Sequence, residues 1–342
     1  MPDSLTTQLC ETLSIELPIV QAPIGSATTP ELISAVAEAG GLGVAAMTWR
    51  ADDEVDAFIS RVGALTRKSF AVNFVLEFDI DQQLGRCLDR GIRFVSTAWG
   101  DPGRVVERIH AAGAIHLHTV GSVDEARHAA DSGVDVIVAQ GWEAGGHVLG
   151  GVAALPLIPA VVDAVAPVPV IAAGGIADGR GLAAVLALGA QAGWIGTRFL
   201  AASEAYTHEL YRQRVIAAGS EDAVYTMCFD GGWAGAPHRV LRNSTLSSWE
   251  AAGRPSSPNR PNEGEVVATD ASAREHRRYD DIMPLPGMVG DLEALALYAG
   301  QSAALVRDVM PAGVIVRQIA AEARRALERL SPASATNIEQ QI

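Results

Sequence analysis

Lysine and cysteine are scarce in this sequence. Of its 26 basic residues, 25 are arginine and only Lys68 is a lysine. A Schiff-base mechanism needs a desolvated lysine at the catalytic cavity. Lys68 lies just before a predicted strand, at the N-terminal face of a barrel, which is associated with stability. The sequence therefore argues against a Schiff-base mechanism. The cysteines Cys10, Cys87 and Cys228 are far apart and form no CxxC pair. This spacing excludes a disulfide framework and predicts a reducing compartment, which we expect to be the cytoplasm.

Targeting, membrane and nucleotide signals are also missing. The opening MPDSLTTQLCETLSIELP has no basic start followed by an apolar run, so we expect no signal peptide. Apolar runs are interrupted by Gly, Pro or charge, which predicts no membrane span. Neither GxGxxG nor GxxxxGK[ST] occurs, which disfavours Rossmann and P-loop nucleotide sites. The net charge of −14 argues against nucleic acid as a partner. We therefore expect a small-molecule substrate.

What the chain does have is a regular alternation of apolar runs and amphipathic stretches between residues 18 and 219. With 342 residues, 49% of them hydrophobic, the chain can bury a large core. The alternation predicts eight βα units, which favour the α/β fold of a closed (β/α)8 TIM barrel over an open, doubly wound sheet. The predicted strands are 18–25, 42–47, 70–76, 92–100, 114–121, 134–141, 167–175 and 192–200.

The pattern changes after residue 219. We predict a barrel over residues 1–219 and a smaller, mainly helical C-terminal appendage over 220–330 that covers one barrel face. Residues 243–282 are polar and rich in Ser, Pro and Arg, which predicts a long loop excursion. Helical patterns return in DLEALALYAGQSAALVRDVM and PAGVIVRQIAAEARRALERL. Residues 331–342 form a polar tail.

Two glycine clusters end the last predicted strands, where barrels often bind phosphate. They are Ala173-Gly174-Gly175 and Gly196-Thr197. Backbone without a Cβ lets a phosphate approach closely, and the N-terminus of a following helix would add partial positive charge. Tight turn geometry is the alternative explanation for each cluster alone. The two clusters together favour a phosphate site.

A third glycine cluster, QGWEAGGHVLGG (140–151), follows the sixth predicted strand. It places His147 in a loop above the barrel mouth, where catalytic residues collect and where a histidine could act as a general base. A surface or structural histidine is the alternative. The HxH pair His116 and His118 lacks the partners of a metal site, so we predict no metal. We expect His118 to face the cavity and His116 to lie in the core.

Such a site has a phosphate cradle but neither a metal nor a nucleophilic lysine, and a flavin would supply the missing chemistry. FMN carries one phosphate and a broad ring that would lie across the strand ends. Gln21, Asn73 and Gln140 end three strands and could hydrogen-bond the rim of this ring. Alternatively, each is a polar residue that closes a strand end.

At these residues the sequence resembles the nitronate monooxygenase family, formerly the 2-nitropropane dioxygenases. The resemblance spans about residues 15–320 and rests on QAPIGSATTPELISAVAEAGGLGVAA, EAGGH and AAGGIADG…GTRF. It implies an FMN-containing barrel with a helical second domain over the flavin, in which His147 is the catalytic histidine. It also implies a set of flavin-binding residues: Ala22, Pro23 and Ile24 along the ring, Asn73, Thr119 and Gln140 at the ring or ribityl chain, and Ala173, Gly174, Gly175, Gly196 and Thr197 at the phosphate.

The resemblance implies oxidation of alkyl nitronates with O2 to a carbonyl compound and nitrite. Two departures bear on this activity. Ile24 and Gly25-Ser26 stand where many members have Met and Ala-Gly, and Thr119 stands where some nitronate oxidisers carry a lysine. Flavin-dependent enoyl-reductases share the EAGGH and GGIADG…GTRF motifs. An NAD(P)H-dependent reductase of an enoyl or other acyl thioester is therefore the main alternative, and a non-catalytic FMN carrier is another. The sequence leaves open whether the protein forms a homo-oligomer.

Overall fold

The computed structural model describes residues 5–330, and its centre is a closed barrel of eight parallel strands. All eight predicted strands are present, and they pair in the order in which they follow one another along the chain. A further two-residue strand, β7 (Gly146–His147), lies in the loop between the sixth and seventh barrel strands. The barrel strands are β1 (Ile19–Gln21), β2 (Leu42–Ala46), β3 (Ala71–Val75), β4 (Phe94–Ala98), β5 (Ile115–Val120), β6 (Val136–Gln140), β8 (Val170–Ala173) and β9 (Ala192–Ile195).

Helices surround the barrel, and the first one closes its lower end. Leu9 and Leu13 of this helix join the buried cluster of inward-facing side chains. The helix that follows β1 begins as predicted, because Thr29 accepts a hydrogen bond from the N–H of Leu32 and Pro30 occupies the first turn. The first nine helices are α1 (Gln8–Leu13), α2 (Pro30–Glu38), α3 (Asp52–Leu65), α4 (Asp81–Asp89), α5 (Val106–Ala111), α6 (Val123–Asp131), α7 (Ala154–Val165), α8 (Gly179–Ala187) and α9 (Thr197–Leu200).

The segment after β9 leaves the barrel and forms a cover over its C-terminal end. It contains two small three-stranded sheets besides its helices, and one of these sheets includes β7 of the barrel loop. The predicted loop excursion 243–282 is partly ordered into helix and strand, because Asn243 caps a helix and Val267 and Ala268 are buried. The elements are α10 (Glu209–Ala217), β10 (Ala223–Thr226), β11 (His238–Leu241), α11 (Ser244–Ala251), β12 (Val266–Thr269), β13 (Glu275–Arg277) and β14 (Val289–Gly290).

The predicted helix over 291–310 is largely extended, with two short 3-10 turns. Its middle runs beside β11, where Leu241 donates to the carbonyl of Leu297 and Ala299 donates to the carbonyl of Arg239. Pairing with this strand satisfies the backbone groups that a helix would have satisfied internally. The segment thereby carries Tyr298 to the barrel mouth, where it lines the cavity described below.

The last helix, α12 (Ala312–Leu330), belongs to the outer ring of the barrel and not to the appendage in which it was predicted. It packs against α8 and α2, and Ile315 and Ile319 on its apolar face are buried. Because the chain forms only the four-residue α9 directly after β9, α12 fills the remaining place in the ring. The predicted tail 331–342 lies outside the described residues. No helix within residues 5–330 has the length and apolar character needed to cross a membrane.

Candidate active site

The C-terminal ends of the barrel strands form the floor of a cavity of about 940 Å³. Side chains alternate along each strand, so the inward-facing position nearest the end of a strand contributes to this floor. All residues predicted at the flavin site except Gln21 line this one cavity: Ala22, Pro23, Ile24, Asn73, Thr119, Gln140, His147, Ala173, Gly174, Gly175, Gly196 and Thr197.

Two consecutive glycines after β8 adopt backbone conformations that side-chain-bearing residues rarely adopt. Gly174 has φ 95° and Gly175 has φ 75°. A Cβ on Gly174 would lie 3.1 Å from the carbonyl oxygen of Gly141, and one on Gly175 would lie 3.2 Å from the carboxylate of Glu143. Neither glycine N–H donates a hydrogen bond to another residue of the described chain. Two free main-chain donors at a strand end suit a phosphate group.

The helix α8, which follows the first of the two loops, does not strengthen this anion site, although the sequence led us to expect it. Asp178 caps α8 and accepts from the N–H groups of Arg180 at 2.9 Å and Gly181 at 3.2 Å. Glu322 of α12 accepts from the N–H of Gly179 at 3.0 Å. Acidic side chains therefore already occupy the positive end of α8. Anion binding rests on the loop backbone, which we call the glycine cradle: Gly174, Gly175, Gly196 and Thr197.

The amide side chains predicted at the flavin rim differ in what they can still bind. Gln140 is engaged at both ends of its amide, because its Nε2 donates to the carbonyl of His147 at 3.0 Å and its Oε1 accepts from the N–H of Leu149 at 2.9 Å. Gln140 thereby fixes the loop that carries His147. Asn73 accepts from the Ser96 hydroxyl at 3.0 Å, and its Nδ2 donates no hydrogen bond within residues 5–330. Asn73 therefore still has donors for a ligand.

His147 lies at the mouth of the cavity, on the short strand β7. This strand pairs antiparallel with β11, so that His147 stands opposite His238. The His147 side chain is 17% exposed, and burial lowers its pKa to about 4. The imidazole is therefore neutral near pH 7. Its Nε2 has no hydrogen-bond partner among the described residues and lies 3.6 Å from Oδ2 of Asp281.

Asp281 and Tyr298 form a buried polar pair beside this histidine. The Tyr298 hydroxyl donates to Oδ1 of Asp281. Burial raises the pKa of the Asp281 carboxyl, while the hydrogen bond from Tyr298 acts in the opposite direction. Burial also raises the pKa of Tyr298. The sequence analysis missed both residues, because they lie in segments predicted as a loop and as a helix. The polar sequence RRYDD (277–281) in the excursion is the only local signal for Asp281.

Four aromatic side chains form an apolar surface next to His147, which we call the aromatic wall. The Trp233 ring lies 4.2 Å from the His147 ring, and Trp99 lies 5.0 Å from Trp233. Phe78 lies 5.3 Å from Trp233 and 5.3 Å from Trp49. Trp49 and Trp99 follow strand ends, in MTW (47–49) and TAWG (97–100), so position alone could have suggested them. Trp233 is brought in by the appendage.

Two polar residues expected at the cavity face away from it. His118 and Gln21 point outward toward the helices, because their neighbours Leu117 and Val20 belong to the inward-facing cluster. His116 is buried as expected, and its ring and that of His118 each lie 2.7 Å from the Thr97 hydroxyl. In the part of the chain that the structure describes, no three His, Cys, Asp or Glu side chains are grouped as a metal site would require.

The fold and the site together define a flavin-type oxidoreductase barrel, with a main-chain anion cradle at one end of the cavity and a neutral histidine at its mouth. Within this class, the chain belongs to the nitronate monooxygenase family, whose model matches residues 6–82 and 77–322. The family assignment made from the sequence motifs is therefore confirmed, and so is the barrel fold.

Relatives with different names share 30% to 40% sequence identity with this chain. A protein of Mycobacterium tuberculosis (strain ATCC 25618 / H37Rv), (3aS,4S,5R,7aS)-5-hydroxy-7a-methyl-1-oxo-octahydro-1H-indene-4-carboxyl-CoA dehydrogenase, is 40% identical over 253 residues, which cover 73% of this chain and 70% of that protein. The structure of FabK from Thermotoga maritima matches with a TM-score of 0.78 at 30% identity, over 95% of this chain and 98% of that one. Nitroalkane oxidase from Streptomyces ansochromogenes matches with a TM-score of 0.78 at 30% identity, over 95% and 100%.

Proposed function

We propose that this protein is an FMN-dependent oxidoreductase of a bulky, apolar acyl thioester, with NADH or NADPH as the reductant. The aromatic wall is the observation that carries the proposal. It adds a large apolar surface to a cavity of about 940 Å³ and places that surface directly beside His147. A small alkyl nitronate has little apolar area to bury there. The similarity to an indene-carboxyl-CoA dehydrogenase supports a substrate of this shape.

The residues of the cavity fit FMN. The glycine cradle would hold the phosphate through free main-chain N–H groups, and the free Nδ2 donors of Asn73 would contact the ring or ribityl chain. Thr119, which is 8% exposed, and Ala22 and Ala173 would border the ring from the barrel floor. When bound, FMN supplies two-electron redox chemistry at its ring. Because Asp178 and Glu322 close the end of α8, the phosphate must be held by the loop.

We assign to His147 the transfer of the proton that accompanies reduction of the thioester substrate. Its imidazole is neutral near pH 7 and makes no hydrogen bond at either ring nitrogen within residues 5–330. A small rotation would bring Nε2 into hydrogen-bond distance of Asp281, 3.6 Å away. A proton on Nε2 would then point at Asp281, whose carboxylate would stabilise the imidazolium that forms when Nδ1 takes up a proton from solvent. Nδ1 would give this proton to the substrate as the substrate is reduced. Asp281 is thus a positioning residue, and Tyr298 fixes its carboxylate.

The aromatic wall excludes water from the reacting atoms. Trp233 is held in place because its Nε1 donates to the carboxylate of Glu77 at 2.7 Å. Its ring covers His147 at an interplanar angle of 32°. An apolar group of the substrate would pack on this surface and place its reactive carbons between His147 and the barrel floor. Substrates with small acyl groups should therefore bind more weakly than cyclic ones.

The reductive half-reaction tests the proposal. The purified yellow protein is mixed without oxygen with NADH, NADPH or propyl-2-nitronate, and the flavin absorbance is followed by stopped flow. We expect rapid bleaching by one nicotinamide nucleotide and slow or no bleaching by the nitronate. Rapid bleaching by nitronate alone would overturn the proposal in favour of nitronate oxidation.

Oxidation of alkyl nitronates with O2 to a carbonyl compound and nitrite is the second candidate function. The family model and the similarity to a nitroalkane oxidase favour it. The neutral form of the His147 imidazole is also the form that can accept the proton of a neutral nitroalkane. Thr119 lies in the cavity where a lysine would add a positive charge near the flavin. Because no lysine stands at this position, nitronate oxidation ranks second.

A further inference from the structure

One arginine of the cavity carries a positive charge that the protein does not neutralise. Arg50 lines the cavity after β2, where its Nε donates to the carbonyl of Ala46 at 3.0 Å and its guanidinium stacks on Phe58 at 4.5 Å. Within residues 5–330 it forms no ion pair, and neither of its terminal nitrogens donates to a protein oxygen. Burial lowers its pKa. Two donors therefore remain available to a ligand.

The surroundings make this unpaired charge unusual. The whole chain has an excess of fourteen negative charges, and most of its arginines have a carboxylate partner in the structure. Glu54 lies near Arg50 and raises the pKa of the guanidinium, but its carboxylate accepts the N–H of Ala51 at 2.9 Å. A partly buried cation without a hydrogen-bonded anion is costly unless a ligand supplies one.

Two neighbours complete a subsite. Trp49 is 59% exposed although it lines the cavity, and its ring is supported from behind by Phe78. Arg274, in the turn between β12 and β13, lines the same cavity and also forms no ion pair with a described residue. An open aromatic face and two unpaired guanidinium groups in the same cavity match a base joined to phosphates. We call Trp49, Arg50 and Arg274 the Arg50 subsite.

We propose that the Arg50 subsite binds the adenosine phosphate portion of a nucleotide-bearing co-substrate. This inference rests on the proposed function, in which two reactants carry such a group: the acyl-CoA thioester and the nicotinamide dinucleotide. Arg50 and Arg274 would contact the phosphates and Trp49 would stack on the adenine. The subsite lies outside the glycine cradle, so the flavin phosphate and this ligand would occupy separate parts of the cavity.

The test is ligand binding to the FMN-loaded enzyme, measured by the change in the flavin spectrum and by calorimetry. The probes are coenzyme A, dephospho-coenzyme A, 4′-phosphopantetheine, NADP⁺ and NAD⁺. We expect Arg50→Gln to weaken binding of the nucleotide-bearing probe about tenfold or more, and Trp49→Ala to weaken it by a similar factor. Binding of 4′-phosphopantetheine, which has no adenosine, should change little if coenzyme A is the ligand. Selective loss of NADP⁺ or NAD⁺ binding would identify the dinucleotide instead.

Arg61→Gln is the matched control, because Arg61 is 57% exposed on α3 and pairs with Glu31 outside the cavity. It removes the same charge and should leave nucleotide binding unchanged. Equal weakening by Arg61→Gln, or no effect of Arg50→Gln and Trp49→Ala, would overturn the inference. Loss of FMN from Arg50→Gln would also overturn it, because Arg50 would then belong to the flavin site. These binding results are independent of flavin bleaching, so the proposed function can fail while nucleotide binding persists.

Discussion

The Nε2 atom of His147 lies 3.6 Å from the Oδ2 atom of Asp281, and both side chains are largely buried, at 17% and 16% exposed. The two residues come from distant parts of the chain. His147 is attached to the appendage by the pairing of β7 with β11, and Asp281 is held within the appendage by the hydrogen bond from its N–H to the carbonyl of Gly231. Burial lowers the pKa of the histidine and raises that of the carboxyl. The imidazole is therefore kept neutral while a hydrogen-bond acceptor stands next to it.

Replacing the acceptor should select the wrong tautomer of His147. In Asp281→Asn the amide can donate to Nε2, which would move the imidazole proton to Nδ1, the nitrogen we assign to proton exchange. We expect kcat to fall by about 100-fold with little change in KM. We also expect the pH dependence of kcat/KM to change, because Asp281 no longer titrates.

Asp280→Asn is the control for this variant. Asp280 is the neighbouring carboxylate, but it accepts the N–H of Arg277 and does not line the cavity. Its replacement should leave the pH profile of kcat/KM unaltered. If Asp281 has only a structural role, Asp281→Asn should lower thermal stability, FMN content and kcat together. The pH profile of kcat/KM should then be unaltered.

The glycine cradle predicts that a single methyl group at Gly174 expels the phosphate. Gly174→Ala would force φ 95° on a residue with a Cβ and bring that Cβ to 3.1 Å from the carbonyl of Gly141. We expect the FMN dissociation constant to rise at least about tenfold. Fluorescence titration of the apoprotein with FMN measures it.

Gly133→Ala separates backbone strain from loss of the cradle. Gly133 has φ 92° in the loop after α6, away from the cavity, and a Cβ there would have only ordinary contacts. Both variants should lose about 1 kcal/mol of stability from the strained φ. Only Gly174→Ala should lose FMN. Equal FMN affinity in the two variants would show that the phosphate lies elsewhere.

Four buried histidines predict a loss of stability in mild acid. Burial lowers the pKa of His116 to about 3 and those of His118, His147 and His238 to about 4. In the unfolded chain these groups titrate near 6.5, so between about pH 6.5 and 4 the unfolded state binds more protons. The free energy of unfolding should therefore fall as the pH falls through this range, by on the order of 1 kcal/mol per histidine at pH 5.

Urea unfolding at pH 7 and pH 5, followed by tryptophan fluorescence, measures this loss. His118→Asn should make the stability less dependent on pH, because it removes one of the four groups. Equal stability at the two pH values would contradict the burial of these rings.

The barrel and its floor could be predicted because the signals are local. Alternating apolar runs located every strand, and positions at the strand ends located Asn73 and Gln140 on the cavity floor. Thr119 was located by the family resemblance. His118 and Gln21 were predicted on the wrong face of their strands, because a shift of one residue moves a side chain to the opposite face of a strand. Leu117, between the two histidines, already indicated the inward face.

The upper half of the site depends on contacts that no local pattern encodes. The appendage pairs with the barrel loop through β7 and β11, and Tyr298 lies beside β11 at Val240. Asp281 is held in the same appendage, where its N–H donates to the carbonyl of Gly231. Similarly, α12 looks like part of the appendage in the sequence, but its apolar face fits the gap between α8 and α2. In both cases the partner lies far away in the chain, so neither periodicity nor turn residues reveal it.

The oxidative half-reaction tests the central claim most directly. The FMN-loaded enzyme is reduced with dithionite, freed of excess reductant and mixed without oxygen with cyclohex-1-enecarboxyl-CoA. We expect the flavin absorbance to return within a stopped-flow measurement and one saturated thioester to form per flavin. We also expect the return to slow about 100-fold or more in His147→Asn with unchanged FMN content. A flavin that stays reduced with the thioester and is reoxidised only when O2 is admitted would contradict the account.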